Sequence, residues 1–366
     1  MPFTLRVTHS LAARTFSDNV VLRIVSDDGT VGCGECVPRS YVTGETVESV
    51  IADLERTRSL LHGAAVSSPD DIKDLIGRLE SSAGLGRASL CCIDLALVDL
   101  AGRLWGIPAS HLIVGPPVQR ELTYSLVVPL LSAASLTTFM EMTAPMGFRF
   151  IKVKVDGNDP LARIRLIRSI VGDGPEIRVD VNCAWSRNDA RVYMRDLAER
   201  GVVSVEQPLP ADDLEGLASL REPGLPPVVL DESVSGLDDL AACARADAGD
   251  IVNIRVSKCG GLFGALAVRD EAERLGYGIQ LGAQVGESCI LSAAGVHLAS
   301  LSPGMRWLEG CFGTHLLITD VCVNEFRFGD SGRIEVPTDP GLGVTVSDAL
   351  LDEAAQVYAS AVGGAV

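Results

Sequence analysis

Five short apolar runs, each ending in charge, recur between residues 151 and 261 at a nearly constant interval, and that interval limits what the chain can fold into. They read FIKVKVD, IRVDVNCAW, VVSVEQPL, PVVLDES and IVNIRVSKCGG. One residue from each (Lys154, Asp180, Glu206, Asp231 and Lys258) stands 26, 26, 25 and 27 residues from the next. A parallel strand, a turn, a crossover helix and a return loop take about that length, so each run is predicted to be the strand of one βα unit. Charges at the ends of successive buried strands are costly unless they meet at a shared site. In a (β/α)8 barrel they do meet, at the C-terminal mouth.

The rhythm extends in both directions. Strands are expected near residues 123, 152, 179, 204, 229, 253, 279 and 307, with helical patterns between them. The predicted fold class is therefore α/β: a (β/α)8-type, modified TIM barrel over residues 121–318. Residues 1–120 lack this alternation. FTLRVTHSL and NVVLRIVSDDGTVGCGE alternate apolar and polar positions around Asp27, Asp28 and Gly29, which suit a hairpin turn. A helix starting at a Thr/Glu capping pattern follows, then an amphipathic helix starting near Ser68, Pro69 and Asp70. RASLCCIDLALVDLAGRLWGI is apolar on nearly every face and is expected to be buried. Strands followed by helices indicate an α+β domain. Residues 319–366 include the turn-rich DSGRIEVPTDPGLGVTV and are expected to return to that first domain.

A net charge of −17 opposes binding to nucleic acid or anionic membranes. No run reaches the ~18 uncharged apolar residues a spanning helix needs, and the first thirty lack a signal-peptide core, so a cytoplasmic protein is expected. Ten cysteines are scattered, with only Cys33 and Cys36 spaced as C-x-x-C. No second pair accompanies them, and they lie where a strand enters a loop, so reduced, mostly buried thiols are expected.

Asp180, Glu206 and Asp231 fall at matching positions on three consecutive predicted strands. One such acid alone would read as a helix cap. Three, flanked by lysines, read as ligands for a hard divalent cation, with Mg2+ expected and Mn2+ acceptable. Asn182 and Glu232 lie beside them, open to hydrogen-bonding a ligand residue or to substrate contact. Lys152 and Lys154 are two apart on one strand and face the same way. Mutual repulsion and a metal should lower at least one of their pKa values, which would suit a base. Lys258 lies four strands further round. Two bases on opposite faces of one carbon are what reversible proton transfer requires. His297, mid-helix among Ala and Leu, reads as packing, and His315 is given no catalytic role. Glu287 is expected either near the mouth or as a cap of the following helix.

KVKVD, DVNCAW, EQPL, DES and VNIRVSKCGG, in that order, resemble the muconate-lactonising-enzyme subgroup of the enolase superfamily. GCGECVPRSYVTGET and ASLCCIDLALVDLAGRLWGIPASHLIVG extend the resemblance over nearly the whole chain. The resemblance implies metal binding by Asp180, Glu206 and Asp231, with Lys154 and Lys258 as acid/base groups. Lys152 would assist Lys154 and contact the substrate carboxylate, and an enediolate would form, as is general for this superfamily. It also implies that the N-terminal domain caps the barrel. Two loops, SLAARTFSD and CVPRSYVTGET, would reach the site, making Arg14, Arg39 and Tyr41 candidate substrate contacts.

Dipeptide epimerases of this group usually carry Asp-x-Asp on the last barrel strand. Here that strand reads RWLEGCFG, leaving Glu309 as the candidate partner of a substrate ammonium. The expected function is a racemase or epimerase acting α to the carboxylate of a dipeptide or amino-acid derivative. The alternative is muconate-type cycloisomerisation or β-elimination as in o-succinylbenzoate synthesis. The expected partner is a small-molecule carboxylate, and a homo-oligomer is the expected assembly.

Overall fold

Alternating residues at the start of the chain form two antiparallel pairs. In the computed structural model, which describes residues 1–9, 12–157 and 160–363, β1 (Pro2–His9) pairs with β2 (Ala12–Phe16), and β3 (Val20–Val25) pairs with β4 (Val31–Cys36). The segment SLAARTFSD is thus largely a strand and not a loop; its Ser10 and Leu11 lie outside the described residues. Three long helices follow: α1 (Val47–Leu61), α2 (Pro69–Ala83) and α3 (Arg87–Trp105), then the short α4 (Ala109–Ile113). Thr46 caps α1 in a box completed by Ser49 rather than by glutamate, and Ser68 and Asp71 cap α2 reciprocally. The apolar α3 lies across β4. An added Cβ at Gly32 or Gly34 would come within 2.3 Å of the Ala96 carbonyl or 2.0 Å of the Cys92 carbonyl, so the spaced glycines of VGCGEC let the helix backbone approach.

A short strand β5 (Glu121–Thr123) precedes eight parallel strands: β6 (Leu126–Val128), β7 (Phe150–Lys154), β8 (Glu176–Asp180), β9 (Val202–Glu206), β10 (Val228–Leu230), β11 (Ile251–Ile254), β12 (Gly278–Leu281) and β13 (Met305–Leu308). Seven helices connect them: α5 (Ala133–Thr143), α6 (Pro160–Val171), α7 (Arg187–Ala198), α8 (Leu214–Ala218), α9 (Leu237–Arg245), α10 (Leu262–Arg274) and α11 (Cys289–Ser300). The sheet runs β6 to β13 in order. The Ser125 amide donates to the Leu308 carbonyl at 2.8 Å, so its two edges meet. The strand expected near residue 123 is divided: its first half, β5, pairs antiparallel with β14 (Arg333–Glu335), and only residues from Leu126 join the barrel.

The tail packs on the first domain. Asp99 of α3 accepts from the Leu342 amide at 2.8 Å, and Arg103 donates to the Val344 carbonyl at 2.7 Å. The tail also holds a helix that turn composition does not announce, α12 (Asp348–Gly363), whose Asp348 pairs with Arg23. The first domain in turn grips the barrel through two carboxylates. Glu35 of β4 accepts from the Ser288 hydroxyl (2.6 Å) and amide (3.0 Å) and the Leu291 amide (3.0 Å), covering the N-terminus of α11. Asp94 of α3 accepts from the Leu262 and Phe263 amides at 2.8 and 3.3 Å, covering the N-terminus of α10. Helices following parallel strands begin at the barrel mouth, so capping them from outside sets the first domain over that mouth. Among the described residues no helix is long and apolar enough to cross a membrane.

Candidate active site

Strand register gathers the charged residues. Lys154 is level with Asp180, and Asp180 with Glu206, across β7, β8 and β9. Alternation turns Lys152 and Lys154 to the barrel interior while Ile151 and Val153 face the helices. All five predicted residues are buried, Asp180, Asp231 and Lys258 completely. The backbone is strained just beyond two of these strands: Asn182 and Gln207 have φ of 47° and 38°, and Cys311, beyond β13, has 54°. Such left-handed non-glycine residues are costly and cluster where geometry serves a site.

The Lys154 Nζ donates to Asp180 Oδ2 (3.0 Å) and Asn182 Oδ1 (2.8 Å). Lys152 lies between Asp180 and Glu206, at 3.2 and 3.1 Å, and also pairs with Glu309. Burial alone would lower its pKa, but the charges of Glu206, Glu309 and Asp180 outweigh burial and raise it. The lowering expected for the lysine pair therefore does not occur at Lys152, because carboxylates surround it. A lysine outside that pair is lowered instead: at Lys258 burial, then Arg255, brings the ammonium down to about 8. The Lys258 Nζ donates to Asp231 Oδ1 (2.9 Å) and to the carbonyls of Asp231 (2.7 Å) and Asn253 (2.9 Å). The Gly260–Gly261 pair after Lys258 has a physical reason. Gly261 sits at φ 101°, and a Cβ there would reach 2.4 Å from the Cβ of the capping Asp94.

Several contributors escaped the sequence reading. Arg255 pairs with Asp231 and donates to Gln284 at 3.1 Å. Arg178 donates to Glu309 (2.8 Å), Gln280 (2.9 Å) and Ser125 (2.9 Å), with its guanidinium 4.9 Å from the Trp307 ring. Gln280 donates to Glu206 at 2.7 Å. Their signal was present: each is polar at an inward position of an apolar strand or just beyond one, Arg178 two residues before Asp180 and Arg255 two after Asn253.

Other predicted contacts are distributed unevenly. Tyr41, Asn182, Glu232 and Glu309 line a cavity of about 40 Å3 with Lys152, Lys154 and Arg255, room for an ion or a water but not for a substrate. Arg14 and Arg39 do not line it. Arg14 pairs with Asp18 at 2.8 Å, 6.0 Å from the Tyr41 ring. Arg39 is buried and donates to the carbonyls of Pro38 (2.9 Å) and Val285 (2.9 Å) and to the Ser17 hydroxyl (3.2 Å). It ties the first domain to the barrel, because its planar fork meets backbone acceptors on both.

Glu309 reaches the cavity, but both of its oxygens are engaged, one by Lys152 and one by Arg178. Glu287 does not cap α11, a role Ser288 fills; it accepts from the Gln284 amide at 2.6 Å. His297 is buried, with Nε2 at 3.2 Å from the Leu342 carbonyl, and burial lowers its pKa to about 4, which fits a packing role. Against the expectation of ten reduced thiols, Cys289 and Cys322 form a disulfide, their Cα atoms 6.2 Å apart because the tail lies against the start of α11. The other eight are free, and all but Cys183 are buried.

The donor set suits a hard cation. Asp180, Glu206 and Asp231 are buried oxygen donors, and the Lys152 ammonium already bridges two of them as a shared cation. Glu232 Oε2 is buried without a hydrogen-bond partner, and burial, then the charges of Asp180 and Glu206, raises that carboxyl to about 7. That unpartnered oxygen is an acceptor an added cation or a water would satisfy. Among the described residues, the trio of metal-ligating side chains with ligand atoms within 4.8 Å of one another is Cys289, Asp320 and Cys322, two of them spent in the disulfide; Asp180, Glu206 and Asp231 do not all approach that closely, with Lys152 between the first two and Arg255 on the third.

Comparison with known proteins agrees with this architecture. Residues 136–350 match the family described as enolase C-terminal domain-like, and residues 2–114 the mandelate racemase / muconate lactonizing enzyme N-terminal domain. The chain belongs to the enolase superfamily. Within that superfamily it is 28% identical to the N-succinyl-L-Arg/Lys racemase of Bacillus cereus, over 95% of this chain and 94% of that one. It is 31% identical to muconate cycloisomerase 1 of Rhodococcus opacus, over 90% and 88%. The crystal structure of a dipeptide epimerase from Methylococcus capsulatus complexed with Mg and L-Arg-D-Lys superposes with a TM-score of 0.84 at 28% identity, covering 94% of this chain and 96% of that one.

Proposed function

We propose that this enolase-superfamily member is an Mg2+-dependent racemase or epimerase that moves the proton α to the carboxylate of an amino-acid derivative. One observation carries the reading. Lys154 and Lys258 lie four strands apart in the curled sheet, and each donates a hydrogen bond to one proposed metal ligand, Asp180 at 3.0 Å and Asp231 at 2.9 Å. Two ammonium groups thus flank one carboxylate set from opposite sides.

Asp180, Glu206 and Asp231 would hold the ion, which when bound supplies Lewis-acid stabilisation to a carboxylate gaining negative charge. Lys152, between Asp180 and Glu206, contributes a fixed positive charge toward the same carboxylate. One of the flanking lysines, neutral, takes the α-proton, and the C–H electron pair stays on the carbon and spreads into the carboxylate. The other, protonated, delivers its proton from the opposite face, and the next turnover runs in reverse. The lowered value of Lys258 keeps both of its protonation states accessible near neutral pH. Asn182 orients Lys154, and the carbonyls of Asp231 and Asn253 orient Lys258.

The similarity to a muconate cycloisomerase favours a second reading in which the same groups serve ring closure or β-elimination. Solvent deuterium decides between them. In D2O a racemase places deuterium at the α-carbon of recovered substrate from either enantiomer. Lys154→Ala then blocks exchange from one enantiomer and Lys258→Ala from the other. Unchanged exchange in both variants would end the proposal, and a cyclised or eliminated product without deuterium in recovered substrate would favour the second reading.

A further inference from the structure

The polar cavity is too small for a substrate, but it does not end blindly. Lys154, Val127, Val285 and Phe312 also border a second cavity of about 470 Å3, within the range of small-molecule sites. Its walls come from three parts of the chain: Leu5 and Val7 of β1, Phe139 of α5 with Phe148 before β7, and Leu316 beyond β13. Phe328 stiffens one side. It meets Phe148 and Phe312 edge-on, with ring centroids 5.7 and 5.9 Å away, and stacks with His315 at 4.8 Å. The wall is therefore formed before any ligand arrives.

The titratable groups along this cavity are Lys154 and His315. His315 is turned to protein partners: its Nε2 is 2.9 Å from the Phe328 carbonyl, and Arg327 reaches the ring at 2.9 Å. Among the described residues no carboxylate lines the cavity, so a basic side chain would lose its hydration without a partner. Nor does it offer an acidic side chain any cation beyond Lys154, which is bonded to Asp180 and Asn182. Large contiguous apolar surface beside a reaction centre marks a place for apolar ligand mass.

We infer that this cavity receives the side chain on the reacting carbon, and that the substrates are α-carboxylates bearing a large apolar side chain, aromatic or branched aliphatic. The inference rests on the racemase reading, and it separates this chain from the relatives named above for Arg and Lys substrates. Specificity is then set by β1, α5 and the segment after β13, and not by Arg14, Arg39 or Glu309. Each methylene buried there is worth about 0.8 kcal/mol, or about fourfold in kcat/KM.

The test uses the Mg2+-loaded full chain and α-deuterium incorporation into N-acetyl derivatives of Ala, Leu, Phe, Arg and Glu. The Phe and Leu compounds are expected to exceed Ala by roughly 10²-fold, with Arg and Glu no better than Ala. Thr143→Trp, at the half-buried rim, should shrink the Phe:Ala ratio at least tenfold. Preference for Arg or Glu, a flat series, or a ratio unmoved in Thr143→Trp would overturn the inference while leaving the racemase reading intact. Calorimetry with 3-phenylpropanoate and propanoate needs no turnover. Tighter binding of the phenyl compound, lost in Thr143→Trp, supports the cavity assignment even if the reaction is another; equal binding overturns it.

Discussion

Lys154 projects from a strand, borders both cavities and bonds two side chains, Asp180 and Asn182. Lys258 lies in the turn after β11, has no exposed surface, and bonds two backbone carbonyls besides Asp231. Backbone acceptors do not rotate away, so Lys258 is held by the fold itself, whereas Lys154 is held by neighbours that a substrate can rearrange. The helix beginning just past Lys258 is fastened too, by Asp94 from the first domain. The two proposed bases are thus built in unlike ways: Lys258 is rigid and lines neither cavity, whereas Lys154 opens onto both.

The largest effects should come from removing either proposed base. Lys154→Ala and Lys258→Ala are each expected to lower racemisation on the order of 10²–10⁴-fold. The contrast appears in rescue: added primary amine should restore Lys154→Ala, whose position opens onto a cavity, far better than Lys258→Ala. Equal rescue would erase the distinction.

Glu309→Ala probes the open side. It leaves Lys152 and Arg178 short of a buried counter-charge, and breaking such a pair costs about 3–5 kcal/mol in urea unfolding. Exchange through Lys154 should fall more than exchange through Lys258, because Lys152 shares Asp180 with Lys154.

Asp94→Ala probes the closed side. Losing the cap on α10 should cost about 1–2 kcal/mol and slow exchange through Lys258 more than through Lys154. If both directions fall equally, the cap stabilises the scaffold without positioning the lysine.

Much of this was legible along the chain. The 25-to-27-residue period announced parallel βα units, and the strand-end pattern brought Asp180 level with Glu206, because spacing and alternation are local properties; Asp231 instead lies just past β10, two residues beyond the position level with Glu206. Residues whose role depends on distant partners were misplaced. Arg39 looked like a loop arginine free for substrate, yet its acceptors include Val285, 246 positions away. Glu309 looked available to an ammonium, but Arg178, 131 positions away, takes one of its oxygens. The strand near residue 123 was divided because Arg333–Glu335, far along the chain, competes for its first half.

By itself the sequence determined the barrel period, the acids and lysines at its mouth and the buried α3, since each follows from residue type at short spacing. Only the tertiary structure decided which cation rests on which acid, which lysine is lowered, and where apolar space opens beside Lys154. Those outcomes depend on register around a curled sheet and on a first domain capping helices from outside, and no local pattern encodes a neighbour a hundred or more residues away.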